Sequence, residues 1–264
     1  MSRTYIVTGT ASGIAKATAK MLKDQGNKVI GVDIHDADVV ADLSTKQGRL
    51  DAASKAIELS GGNIDAVITC AGLAHPIAKT VSVNYFGMTE FLNALAPTLA
   101  KAKAPRAALI SSMASLMPND KALVEAMCVD DDEAKAIARA QALVDAADGS
   151  DQLIYGSTKR AIARWVRREC IKPQWAAAGI PLNAIGPGMV RTPMIADMIA
   201  TAEARAAIDT QVPMPLNYYL EPEQVAPLLI WLTSVENTHV TGQTIYIDGG
   251  SDAALRGDNV WDLC

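Results

Sequence analysis

Tyr155 and Lys159 stand four residues apart in Tyr155-Gly156-Ser157-Thr158-Lys159. On a helix, residues at that spacing share one face, about 5–6 Å apart at Cβ. A phenol with an ordinary pKa of about 10 then has a cation beside it, and a positive charge favours the phenolate. Such a tyrosine can exchange a proton with an alcohol near neutral pH. The pair alone is a weak signal, because chance copies are common and most sit on solvated helix faces. Its context sharpens it. A strand-like run over residues 107–112 brings Ser112 to a strand end, 43 residues before Tyr155. Ser111 and Ser115 are alternatives to Ser112, since alternate strand residues face opposite ways. Asn84 lies early in a helical segment, in Val83-Asn84-Tyr85-Phe86-Gly87.

A second constellation lies near the N-terminus. Thr8-Gly9-Thr10-Ala11-Ser12-Gly13-Ile14-Ala15 follows one strand-like run and opens a helical one. Glycines at such a turn let backbone approach a pyrophosphate, and the helix N-terminus adds N–H donors and positive potential. The bland alternative is an ordinary glycine-rich turn. Asp33 ends the next strand-like run, about twenty residues on, with Ile34 after it. A carboxylate there can accept from adenosine ribose hydroxyls and repels a 2′-phosphate, so NAD is expected over NADP. No Lys or Arg in the glycine turn opposes that choice.

The elements that must position these groups alternate. Residues 5–8, 28–33, 64–69, 107–111, 181–185 and 244–247 are short and apolar, as in buried strands. Between them, residues 15–25, 83–100, 155–178 and 222–232 carry helical patterns. The alternation predicts an α/β fold in one domain, a doubly wound parallel sheet with helices on both faces. Ligands in such sheets bind beyond the carboxyl ends of the strands, which is where each motif falls.

The 264 residues suit one domain, and half are hydrophobic, enough for a large core. The net charge of −5 excludes an electrostatic case for nucleic acid or an anionic membrane. No apolar run reaches the length of a membrane span. The first strand-like run begins by about residue 4, which predicts no signal peptide. Cys70, Cys128, Cys170 and Cys264 are scattered and histidines number three, so neither a metal site nor a disulfide framework is expected. Reduced thiols in a cytoplasmic protein are the plain reading.

Together these motifs resemble the short-chain dehydrogenase/reductase family, over essentially the whole chain. The glycine turn is similar to the family's T-G-x-x-x-G-I-G, with Ala15 in place of its last glycine. Asp42-Leu43 resembles the acidic–apolar pair that flanks adenine, and Cys70-Ala71-Gly72 resembles the N-A-G turn with Cys70 in the asparagine position. Pro187-Gly188-Met189-Val190-Arg191-Thr192 resembles P-G-x-x-x-T. By that resemblance Pro187 and Gly188 back the nicotinamide, and Val190 and Thr192 contact its carboxamide. The resemblance also implies a tetrad of Asn84, Ser112, Tyr155 and Lys159. Ser112 would orient the substrate oxygen and Tyr155 would exchange its proton. Lys159 would lower the tyrosine pKa and bond the nicotinamide ribose, and Asn84 would anchor a water that relays the proton. The implied activity is NAD(H)-dependent interconversion of a secondary alcohol and a ketone. A non-catalytic nucleotide sensor on the same fold is a remote alternative, which the intact tetrad opposes.

Residues 31–45, the stretch Val81-Ser82-Val83-Asn84-Tyr85-Phe86-Gly87 and the long serine–tyrosine gap look like the bacterial 3α-hydroxysteroid dehydrogenase/carbonyl reductase type. An alicyclic, terpenoid or aryl-alkyl secondary alcohol is the alternative substrate. Residues 189–220 should form a substrate lid. Met189, Met194, Met198, Met214, Tyr218 and Tyr219 within it either line an adaptable apolar pocket or are plain core.

The insert spans about residues 116–152. Residues 117–151 hold nine acidic and three basic side chains, a net of −6. Asp130-Asp131-Asp132-Glu133 reads as a solvated start to an Ala-rich helix that Gly149 ends. Family relatives commonly form tetramers through the two long helices, here 83–100 and 155–178. An insert entering just before the second would cover that face. A homodimer joined through 222–232 and 244–247 is therefore expected, with a tetramer as the alternative.

Overall fold

Val- and Ile-rich runs buried on both faces make the central strands. β1 (Thr4–Thr8), β2 (Lys28–Asp33), β4 (Ala66–Thr69), β5 (Arg106–Ile110) and β6 (Leu182–Pro187) follow this pattern. Two further strands complete the sheet, β3 (Val39–Val40) and β7 (Thr244–Ile247). All pairings are parallel, in the order β3-β2-β1-β4-β5-β6-β7. The doubly wound parallel sheet is thus the observed fold. The computed structural model describes residues 2–216, 219–258 and 260. Tyr218 and Cys264 lie outside them.

Two apolar layers flank the sheet. On one face α1 (Gly13–Asp24) packs beside α9 (Pro222–Leu232), with Ala15, Ala19, Leu22, Val225 and Leu229 buried against β1 and β4. On the other lie α2 (Lys46–Ser60), α4 (Gly87–Leu99) and α7 (Leu153–Glu169). Between α2 and α4, α3 (Lys79–Val81) runs through a π turn at Ser82–Phe86 into α4. The helix expected over 83–100 therefore starts earlier and carries Asn84 inside that turn. The helix expected over 155–178 stops at Glu169. Pro173 explains the stop, because proline disfavours the helical region for the residue before it and has no N–H to continue the ladder.

The insert forms two helices rather than one. Asp120 accepts from the Leu123 amide at 2.7 Å and starts α5 (Lys121–Cys128), which buries Leu123, Val124 and Met127. Asp132 accepts from the Lys135 amide at 2.9 Å and starts α6 (Glu133–Asp145). Gly149 does not end α6, which closes at Ala146 with Ala147 at positive φ. α5 lies on α7, and α6 lies on α5 and α3. The acidic run is not wholly solvated either. Asp130 pairs with Lys135 at the surface, but Glu133 turns inward to the fully buried Arg49. The lid region holds short turns at Pro193–Ile195 and Asp197–Ile199, then α8 (Ala202–Gln211). The last helix of the described residues is α10 (Ser251–Arg256).

Candidate active site

A cleft of about 350 Å³ opens at the carboxyl ends of the strands. Its dinucleotide-like half is built from the turn between β1 and α1. Gly9 has φ +85°, and a Cβ there would stand 2.9 Å from the Ala71 amide nitrogen, so only glycine lets the turn approach the loop after β4. Gly13 has φ +54° and packs on Thr192. Ser12 makes no side-chain cap, and α1 has no acidic residue in its first turn. Gly13, Ile14 and Ala15 at that start line the cleft. Ala15, the departure from the glycine pattern, is buried against the sheet and leaves the turn intact.

Asp33 stands at the carboxyl end of β2. Its Oδ2 accepts from the Ala11 amide at 2.9 Å and its Oδ1 from the Ile34 amide at 2.7 Å. Each carboxylate oxygen keeps a further lone pair for a hydroxyl donor. Ile34, Asp42 and Leu43 line the same end. Ser44 donates to Asp42 at 2.9 Å, and this with the cation of Lys79, 3.4 Å away, holds the Asp42 carboxyl below its ordinary value. Lys79 also lines the cleft, and the sequence reading missed it. Its only sequence signal is its place five residues before Asn84. Further along, Ala71 and Gly72 follow β4, and Pro187, Gly188, Val190 and Thr192 follow β6. Every candidate cofactor residue thus borders one cleft. The uncapped helix start, the close glycine turn and the Asp33 carboxylate are a donor and acceptor set that fits an adenine dinucleotide lacking a 2′-phosphate.

Ser112, Tyr155 and Lys159 meet at the other end. Ser112 lies two residues beyond β5, and its Oγ accepts from the Ala114 amide at 3.1 Å. Its rivals face elsewhere. Ser111 donates to the Lys159 carbonyl at 2.8 Å, and Ser115 pairs with the Tyr246 hydroxyl at 2.9 Å. Tyr155 and Lys159 share a face of α7, with Lys159 Nζ 5.6 Å from the tyrosine ring centre. Lys159 Nζ donates to the Ile110 carbonyl at 3.1 Å.

The electrostatics differ from the sequence expectation. Burial pushes the Tyr155 hydroxyl above its ordinary value, and a hydrogen bond from Ser112 pulls the other way. Burial also lowers Lys159 to about 8. At about 8 the lysine is still a cation at neutral pH, and at the phenol itself desolvation dominates. Cys70 lies near Lys159, yet burial raises its thiol to about 12, so it is no nucleophile.

Asn84 is fully buried, and its side chain is already committed. Its Oδ1 accepts from the Leu73 amide at 2.7 Å, and its Nδ2 donates to the Leu73 carbonyl at 2.9 Å and to Thr158 at 3.2 Å. Asn84 thereby clamps the loop after β4. That loop passes beneath Lys159, since a Cβ on Gly72 would lie 3.2 Å from Asn84 Oδ1 and 3.7 Å from Lys159 Nζ.

The lid methionines divide between the two alternatives. Met194, with Ile195, lines the cleft, while Met214 is buried in a cluster with Met113 and Val212, against which Met189 packs. Met198 is exposed. The Tyr219 ring stacks under Arg191, and its hydroxyl donates to Asp209 at 2.9 Å.

Known proteins carry the same pattern. A short chain dehydrogenase family model matches residues 3–124, and a second, described as Enoyl-(Acyl carrier protein) reductase, matches residues 136–252. The 3-alpha-hydroxysteroid dehydrogenase/carbonyl reductase of Comamonas testosteroni is 36% identical over 257 residues, covering 95% of this chain and 97% of that protein. The cis-4-hydroxycyclohexanecarboxylate dehydrogenase of Sinomonas cyclohexanicum is 28% identical over 260 residues, covering 95% and 97%. Among solved structures, the 3-alpha-hydroxysteroid dehydrogenase of Pseudomonas sp. B-0831 complexed with NADH superposes with a TM-score of 0.87. It is 34% identical, with 97% of this chain and 99% of that one covered.

Proposed function

This chain belongs to the short-chain dehydrogenase/reductase family, and we propose that it interconverts secondary alcohols and ketones with NAD(H), its substrates being 3α-hydroxysteroids and related carbonyl compounds. One observation carries the reading: a single cleft holds Ser112, Tyr155 and Lys159 at one end and Asp33 at the other. Asp33 would take the adenosine ribose, and the free amides at the start of α1 the pyrophosphate. Nicotinamide, when bound, supplies hydride transfer. The chain's own residues do the rest. Ser112 orients the substrate oxygen and stabilises charge on it. Tyr155, ionised beside the Lys159 ammonium, takes the alcohol proton in oxidation and, once protonated, returns it in reduction. Lys159 keeps its ammonium beside the phenol, which favours the phenolate, and bonds the nicotinamide ribose. Asn84 keeps the Leu73 loop in place beneath it.

The apolar lining supports a steroid-like substrate. Leu73, Ile110, Val190, Met194 and Ile195 line the cleft with Ser112 and Tyr155, and its cations among the described lining residues are Lys159, used by the tetrad, and Lys79, paired with Asp42. A carboxylated alicyclic alcohol would need another. Similarity to the Sinomonas enzyme nevertheless favours an alicyclic alcohol as the second reading. A panel measures both: NADH formation with a 3α-hydroxysteroid, cis-4-hydroxycyclohexanecarboxylate and an aryl-alkyl carbinol. The highest kcat/KM should fall on the steroid. A preference for the alicyclic acid would install the second reading, and no NADH with any alcohol would defeat both.

The assembly we propose is a homodimer. α5 covers α7, one of the long helices, while Trp231 on α9 is 38% exposed and the edge strand β7 is half-buried. Light scattering should give the mass of two chains, whereas four chains joined through α4 and α7 would refute it. Free thiols at Cys70, Cys128 and Cys170 support a cytoplasmic setting, and no helix of the described residues is long and apolar enough to cross a membrane.

A further inference from the structure

Arg49 on α2 has no exposed surface, yet it touches no atom of the proposed chemistry. A buried guanidinium is costly unless all its donors are matched. Here they are. Nε donates to the Leu43 carbonyl at 2.8 Å. Nη1 donates to Glu90 at 2.9 Å and to Glu133 Oε2 at 2.8 Å. Nη2 donates to the carbonyls of Ser44 at 3.1 Å and Ser82 at 3.3 Å, and to Glu133 Oε1. The hold on Glu133 is two-pronged, the strong geometry for this pair.

The partners come from separate parts of the chain. Leu43 belongs to the cleft wall beside Asp42, and Ser44 follows it. Ser82 opens the π turn that carries Asn84. Glu133 is the first residue of α6, inside the insert and 84 positions away from Arg49. The insert therefore supplies a carboxylate that a buried cation needs, and that cation grips the backbone of the cleft. Glu90, the other carboxylate, meets Arg49 through one oxygen only.

We propose that Arg49 is a positioning residue for the dinucleotide. Glu133 of the insert locks its guanidinium, and the guanidinium fixes the Leu43 and Ser44 carbonyls that shape the adenosine end. The inference rests on the NAD(H) reading of the cleft. It makes the insert part of the cofactor site as well as a cover for α7. The insert is anchored a second time, where Arg139 pairs with Asp120, whose amide donates to Ser157 at 2.9 Å. That anchor lies toward Tyr155 and away from the adenosine end, so it serves as the control.

The test is calorimetric titration of the full chain with ADP-ribose, NADH and reduced nicotinamide mononucleotide, which lacks the adenosine half. Glu133→Gln keeps the side-chain shape and removes the charge. It should weaken ADP-ribose and NADH about tenfold each, the low end for a lost charge-assisted hydrogen bond. The mononucleotide should bind as in the parent, and kcat at saturating NADH should hold. Hydrogen exchange of the ligand-free protein should quicken at residues 43–48. Arg49→Lys, which keeps charge but loses the fork, should behave as Glu133→Gln, and Arg139→Ala should leave ADP-ribose binding unchanged. Unaltered ADP-ribose affinity in Glu133→Gln would overturn the inference. So would an equal loss for the mononucleotide, or the same loss in Arg139→Ala, since either would mean general loosening. A parent protein that binds neither NADH nor ADP-ribose would instead bring down the NAD(H) reading itself.

Discussion

Lys159 should destabilise the protein it serves. It is 3% exposed, and burial lowers its ammonium from 10.5 to about 8. The unfolded chain keeps an ordinary lysine. Below the folded value both states are protonated, and the fold carries the whole penalty, about 3 kcal/mol. Between pH 8 and 10.5 the folded state releases its proton first, so the unfolded state binds more protons and stability rises with pH. Lys159→Met removes that charge and nearly conserves volume. It also loses the bond to the Ile110 carbonyl, worth about 1 kcal/mol. At pH 7 the variant should therefore be more stable by about 2 kcal/mol. Urea unfolding of both proteins at pH 7 and at stepped values up to 10.5 measures it, at fixed protein concentration because of the proposed dimer. The advantage should shrink steadily above pH 8 and vanish by 10.5. Cys70, raised to about 12, works in the opposite sense, losing stability as pH climbs past its unfolded value. It is common to both proteins and largely drops out of the difference. Activity of the variant should fall by at least about 10²-fold. A variant less stable than the parent at pH 7, or a gap that does not change with pH, would refute the reasoning.

Three further outcomes follow from the cleft. Tyr155→Phe keeps the ring and loses the proton, so turnover should fall about 10²–10⁴-fold while calorimetry shows NADH still bound. Near-normal turnover would remove Tyr155 as the base. Ser112→Ala should be as severe, whereas Ser115→Ala, whose hydroxyl serves Tyr246, should cost about 1 kcal/mol of stability and little activity. The reverse pattern would move the role to Ser115. Asp33→Ala should bring the kcat/KM ratio of NAD to NADP down by about tenfold or more, and an unchanged ratio would dismiss Asp33 as the discriminator.

Local pattern carried much of this architecture. Buried strands announce themselves by β-branched runs, and a parallel sheet places its ligands at the strand ends, so Gly9, Asp33, Ser112 and Pro187 could be located before any coordinates. Tyr155 and Lys159 could be read from helical spacing together with the strand-end serine and the glycine turn. The early end of α7 was missed, although Pro173 stands in the chain to signal it. Other features depend on residues far apart in sequence. Residue type alone left three serines at the end of β5, and only packing turned Ser111 to Lys159 and Ser115 to Tyr246. The clamp between the Asn84 side chain and the Leu73 backbone is likewise set only by folding. The pKa direction at Tyr155 reversed because spacing reports the nearby charge but not the burial of the phenol itself. Glu133 looked like one more solvated carboxylate in an acidic run. Its pairing with Arg49 exists only because α6 folds back across α3, and desolvation makes that contact matter. Periodicity and turn chemistry act over a few residues and can be read along the chain; burial and long-range pairing are set by the assembled core.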